Sequence, residues 1–285
     1  MAPVRLTVHI PPDSNPTNTI ALITDLAANP GHSFDSASQL LEYLSVQGIG
    51  SRTEIHSTAT SLGILDRTEQ AIHLSADGLA LASVREDVRG DILHFLMYTG
   101  WTSNAPTQFL QSWAYRLVCD QYWEHGTVAL TSSYLDAQVG EVINIAQEYF
   151  PQIGVSNFDE VSFSRKSLRG AHNWLEAVSP PVITGDGQQP PTFSRRSFCP
   201  PELVVLAVAY VVGQEENALG IDVLLTPEKR ESISKICLID PNAFDRVLDW
   251  ALPIYPHLIA PGTTAGFYGR FVRLHQLPEL KDVVR

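Results

Sequence analysis

Apolar residues recur at three- and four-residue spacing along most of this chain, and short alternating runs interrupt them. "VRLTVHI" from Val4 alternates as a short strand does, and the prolines of "PPDSNPTN" break it. From Thr19 the pattern is helical, with Ile20, Ile23, Leu26 and Ala27 on one face. "FDSASQLLEYLS" predicts a second short helix with Phe34, Ala37, Leu40, Leu41 and Leu44 inward, and "VQGIG" turns the chain. Ser51 with Glu54 three residues on matches a capping box and opens a helix to about Leu62. Gly63 stops it. Ile64 and Leu65 start a strand, "DRTEQ" turns, "AIHL" returns, and Ser75 caps the next helix.

Residues 84–160 read as all-helical, because "VRGDILHFLMYTGW", "TQFLQSWAYRLVCDQYWEHG" and "SYLDAQVGEVINIAQEYF" all carry helical spacing. Trp101, Phe109, Trp113, Tyr115, Tyr122 and Trp123 cluster there and read as core. The earlier order of elements then returns. "FSRKSLRGAHNWLEAVSPPVI" predicts a helix and a strand, "TGDGQQPP" a polar turn, and "TFSRRSF" a returning strand. "PPELVVLAVAYVV" is a buried helix with prolines in its first turn. A third set follows, with helices capped by Thr226 and Asp240 and a strand–turn–strand over "HLIAPGTTAGFYGRFVRL".

Helix, short helix, turn, helix and hairpin is the element order of a winged helix-turn-helix. "LGILDRTEQAIHLSADGLALA" resembles the end of that superfamily's fold, and the resemblance spans about residues 19–83. The expected architecture is mainly α with short β-hairpins (α+β), with tandem winged-helix units flanking a helical middle region. Its parts are a winged-helix domain at 1–83, a helical region at 84–160, a winged-helix-like unit at 161–213 and another at 214–285. The texture also resembles accessory proteins of prokaryotic genome-defence or mobile-element clusters, which implies a non-enzymatic subunit of a larger complex.

Charge decides where such units could meet a partner. With 31 acidic and 19 basic residues the chain carries −12 and is repelled by polyanions overall, so nucleic-acid contact needs a local patch. Residues 162–198 hold five basic and two acidic side chains, +3, which leaves −15 on the remainder. On a helix over 164–178, Arg165, Lys166, Arg169, His172 and Asn173 oppose the apolar side formed by Phe163, Leu168, Ala171, Leu175 and Val178. In helix-turn-helix proteins such a helix enters the major groove, where Arg suits guanine, Asn adenine and Lys phosphate. The wing would add Arg195 and Arg196. The other reading of the same residues is a solvated helix face.

The first unit offers Ser51, Arg52 and His56 on a hydroxyl-rich helix, but its residues 33–83 hold six acidic and two basic side chains. The third unit presents Asp240, Asp245 and Asp249 with Arg246, an acidic face that repels DNA and suits a protein partner; Tyr268, Arg270 and Arg273 lie on its hairpin. Two functions therefore compete: a double-stranded DNA-binding protein, and an adaptor whose winged units bind protein.

Catalytic signatures are missing from the sequence. There is no phosphate-binding GxxxxGK[ST], no GxGxxG after a strand, no GxSxG and no HExxH. The spacing of Asp120, Glu124 and His125 fits a helix end beside the aromatic core, and His94 fits a hydrogen-bonded core position. Cys119, Cys199 and Cys237 are scattered without a CxxC, which suits a reduced compartment. No cofactor or metal, a cytoplasmic location and no membrane span are expected.

Overall fold

The computed structural model describes residues 4–29, 33–49, 53–68, 71–185, 187, 189–263 and 269–284. About 54% of the chain is helix and 14% strand, a mixed α+β architecture with small sheets. The elements fall into three sets of similar connectivity.

The first set comprises α1 (Pro16–Ala28), α2 (Ala37–Val46), α3 (Thr53–Ser61), β2 (Leu65–Arg67) and β3 (Ile72–Leu74). Asn15 caps α1, with Pro16 already holding a helical φ at the first position. β2 and β3 form an antiparallel hairpin, and Phe34, between α1 and α2, bridges to Ile72 as a rudimentary third strand. Ser75 caps α4 (Ala76–Ser83) as expected, its hydroxyl accepting from the Gly78 amide at 2.9 Å. The expected capping residue of α3, Ser51, lies outside the described residues.

The second set runs α6 (Leu110–His125), β4 (Thr127–Ala129), α7 (Ser132–Gln152), α8 (Arg165–Glu176), β6 (Ile183–Thr184) and β7 (Thr192–Ser194), with sheet order β4-β7-β6. The third runs α9 (Pro201–Val212), β8 (Asp222–Leu224), α10 (Pro227–Cys237), α11 (Phe244–Ala251), β9 (Ile259–Thr263) and β10 (Arg270–Leu274), with order β8-β10-β9. In both sets the first strand of the unit pairs with the last. The expectation that residues 84–160 are purely helical is corrected here. α5 (Glu86–Thr99) and the longer helices are present, but β4 pairs with β7, and β5 (Glu160–Ser162) pairs in parallel with β1 (Arg5–Thr7). Both strands are three residues long, too short to show a period of two against flanking helical spacing.

One continuous core joins the sets, reaching from Leu6 to Val283. α9 is buried along nearly its whole length. α12 (Leu280–Val283) packs on α4, so the chain's last described helix closes on the first set.

Buried within this core is an ion pair. Asp91 of α5 and Arg196, just past β7, have side chains 0% and 2% exposed, and Arg196 Nη2 lies 2.7 Å from Asp91 Oδ1. The second Asp91 oxygen accepts from the Ser179 amide at 2.8 Å. Arg196 Nε donates to the Cys237 carbonyl at 2.8 Å and Nη1 to the Ser179 carbonyl at 3.0 Å. Its main chain also bridges to Leu238 and Asp240. Burial pushes the Asp91 carboxyl up, while the Arg196 charge and the Ser179 amide pull it back. Arg196→Met leaves Asp91 buried without its counter-charge, and urea denaturation at pH 7 is expected to show a loss of about 3–5 kcal/mol. The Asp91→Asn/Arg196→Met double variant is expected to recover part of that loss.

Candidate nucleic-acid interface

α8 owes its position to the segment before α1. The Ser162 carbonyl accepts from the Val8 amide at 3.2 Å, and His9 Nδ1 lies 2.6 Å from Ser167 Oγ. Pro12 O accepts from Asn173 Nδ2 at 3.0 Å and Ser14 O from Trp174 Nε1 at 2.9 Å. Gly170 permits this approach, since a Cβ there would stand 2.3 Å from the Ile10 carbonyl oxygen. Leu168, Ala171, Leu175, Phe163 and Val178 are buried as the spacing predicts. What remains outward at the start of α8 is Ser164, Arg165, Lys166 and Arg169. Ser164 is extended and makes no side-chain cap, so its hydroxyl stays available at the positive end of the helix dipole.

The cations differ sharply in how they are used. Arg165 Nε and Nη2 reach the Asp136 carboxylate of α7, and Nη2 also donates to the Ser132 carbonyl at 3.1 Å. The Arg165 hydrogen bond holds Asp136 below the usual carboxylate range. This pair is exposed and screened by solvent, so phosphate can displace it. Among the described residues, only Arg67, Lys166 and Arg169 of the lysines and arginines have neither an ion pair nor a side-chain hydrogen bond, and all three are exposed.

Four expected contacts are corrected. Arg196 is buried in the Asp91 pair and cannot reach a ligand. Arg195 turns back on α6, donating to Trp123 O at 2.6 Å and Glu124 O at 3.2 Å, with its guanidinium 4.3 Å above the Trp123 ring. Asn173 is spent on Pro12. His172 is half-buried, 2.8 Å from the Tyr122 hydroxyl, and burial lowers its pKa to about 4, so it is neutral at pH 7. On α3, His56 is half-buried and its Nε2 has no hydrogen-bond partner; burial, then the nearby Arg67 charge, lower its pKa. Ser51 and Arg52 lie outside the described residues. Sequence reasoning passed over Arg67, the one cation in the turn "DRTEQ"; its signal was only a single arginine between two strands.

In the third set Arg230, Arg270 and Arg273 pair with carboxylates of the same set. Asp245 pairs with Arg230 at 2.7 Å, and Arg270 pairs with both Asp245 and Asp249. Arg273 is held by Asp222 at 2.8 Å, and Tyr268 lies outside the described residues. The arginines expected to touch a partner from this hairpin are therefore committed within the fold. Phe198 and Trp250, each 43% exposed, lie against each other with centroids 4.6 Å apart and ring planes tilted by 57°.

No group of three or more His, Cys, Asp or Glu among the described residues is placed to hold a metal ion. No described helix is long and apolar enough to cross a membrane. No protein family, curated protein or solved structure matches this chain.

His94, fully buried, completes the electrostatics. Its Nε2 donates to the Ile236 carbonyl at 2.8 Å, which leaves Nδ1 to accept from the Tyr115 hydroxyl at 2.7 Å. Burial lowers its pKa to about 3. For His94 and His172 the folded pKa lies below 6.5, so the unfolded chain binds protons first. Their stabilisation is complete above pH 6.5 and is lost as pH falls toward the folded values. Each contributes a slope of roughly 1.4 kcal/mol per pH unit inside that window. His172→Gln keeps an acceptor for Tyr122 and is expected to remove one such slope from the unfolding free energy between pH 6 and 4.5. An unchanged slope would show that His172 is not held neutral.

Proposed function

We propose that the chain is a non-enzymatic, double-stranded DNA-binding subunit built from three winged-helix units. The repeated connectivity supports this, above all the two sheets in which the first strand of the unit pairs with the last. So does the rudimentary Phe34–Ile72 strand of the first unit. In this reading α8 enters the major groove by its first turns, Lys166 contacts phosphate, Arg169 reads a guanine edge, and Ser164 and Arg165 anchor the backbone. The single observation that carries the proposal is that two of the three uncommitted cations among the described residues stand one helical turn apart on α8. The strongly acidic remainder confines polyanion contact to that face.

The wing between β6 and β7 contributes polar residues such as Gln189 and no free cation, so readout rests on the helix. An adaptor role is the second reading, favoured by the third unit, whose acidic helix is sealed by its own arginines while Phe198 and Trp250 stay outward. The two readings combine in a cytoplasmic accessory subunit of a prokaryotic genome-defence or mobile-element complex. There the second unit would hold duplex DNA and the third would dock a protein.

Fluorescence anisotropy across a salt series tests this. Wild type is expected to bind duplex in preference to single-stranded DNA. Lys166→Ala/Arg169→Ala is expected to bind roughly tenfold or more weakly, with the log–log salt slope shallower by about 2 and the thermal midpoint unchanged. Absence of binding at low salt, or an unaltered variant, would overturn the proposal.

A further inference from the structure

A cleft of about 820 Å³ opens where α6, α9 and α10 meet. Helical spacing sets two of its walls. Arg116 and Asp120, one turn apart on α6, line it opposite Lys229, Ser232 and Lys235 on one side of α10. The two helices touch at one end, where Lys235 Nζ lies 2.9 Å from the Glu124 carboxylate and 5.4 Å from the centre of the Trp123 ring. The Lys229–Glu215 pair, at 2.8 Å, joins α10 to the segment after α9. Tyr98 of α5 and Tyr210 of α9 supply aromatic surface. The cleft shares no residue with the outward face of α8.

The cations around it differ in what is left of them. Lys229 and Lys235 have side chains 20% and 17% exposed, and each sits in a short ion pair. The Arg116 side chain is 43% exposed, and Asp120 Oδ2 is 3.9 Å from its Nε, too long for a hydrogen bond. The guanidinium carbon lies 5.5 Å from the centre of the Tyr98 ring, and the Tyr98 hydroxyl donates to the other Asp120 oxygen. An aromatic ring and a carboxylate thus orient Arg116 while its planar fork of donors stays open to the cleft. Tyr210 packs edge-on against Phe95 with ring centres 6.2 Å apart, which fixes its ring, and its hydroxyl makes no hydrogen bond to a described residue.

An open guanidinium fork beside a free hydroxyl selects an acceptor with two oxygens in one plane. Carboxylate and phosphate both offer one, and Asp120 separates them, because its charge beside the fork disfavours a dianion more than a monoanion. The volume of the cleft suits a small organic molecule. We infer that this cleft binds a small organic acid through its carboxylate. Arg116 is the bidentate anchor, the Tyr210 hydroxyl is a further donor, and the Tyr98 and Tyr210 rings cover the apolar body of the acid.

Benzoate, benzamide and phenyl phosphate share one ring and differ in the head group. Saturation-transfer NMR titrations of the full-length protein, at pH 8 and constant ionic strength, separate their contributions. Benzoate is expected to bind roughly tenfold more tightly than benzamide, and several-fold more tightly than phenyl phosphate. Arg116→Gln is expected to abolish the preference for benzoate over benzamide. Tyr210→Phe keeps the ring and is expected to weaken benzoate several-fold. Asp120→Asn keeps an acceptor for Tyr98 and is expected to tighten phenyl phosphate, a gain that misfolding cannot mimic. If benzoate fails to bind, binds no better than benzamide, or binds Arg116→Gln as it binds wild type, the site is wrong. If wild type prefers phenyl phosphate to benzoate, the assignment to carboxylates is overturned.

Discussion

The buried Asp91–Arg196 pair is the constraint on which the rest of the arrangement depends. Two charges out of water are tolerable only when every remaining lone pair and N–H is satisfied, so the groups around them must be brought into place. Here those groups are the Ser179 amide and carbonyl after α8 and the Cys237 carbonyl at the end of α10. The pair therefore ties α5, the second set and the third set into one body. Alone it contributes little net stability relative to an apolar replacement; its physical consequence is geometric, because it holds α5 against the segments that carry Ser179 and Cys237.

A second tie acts at the opposite end of α8. The segment from Val8 to Asn15 lies along that helix and then enters α1, so the first set is joined to the helix by backbone contacts rather than by a flexible linker. The glycine at 170 makes the contact close. Between these two ties α8 has one free side, and its outward cations project from a helix held along its length. Preorganisation of this kind lowers the entropy lost when a rigid polyanion is bound.

Most arginines in this acidic chain are committed to internal partners. Arg195 covers Trp123, Arg230 and Arg270 neutralise α11, and Arg165 is lent to Asp136. That pattern explains why counting basic residues between 162 and 198 overstated the patch. Of five cations there, two are structural, one is exchangeable and two are free. It also explains why Arg67, in a stretch of negative net charge, escaped notice.

The sequence by itself determined the local elements. Caps at Ser75, Thr226 and Asp240, the helical spacing of α8 and the hairpin strands were all readable, because each depends on residues close by in the chain. The aromatic core of α6 and the buried setting of His94 were legible for a similar reason, since a polar residue on an apolar helix face has to find a partner. Strands β4 and β5 were not, because three residues carry no period and their partners, β7 and β1, lie far along the chain. Only the tertiary structure decided which side chains of the candidate helix are free. Asn173 is consumed by a carbonyl 161 residues away and Arg196 by a carboxylate on another helix. Whether a charge faces solvent or a partner is a property of packing, and packing is not encoded in neighbouring residues.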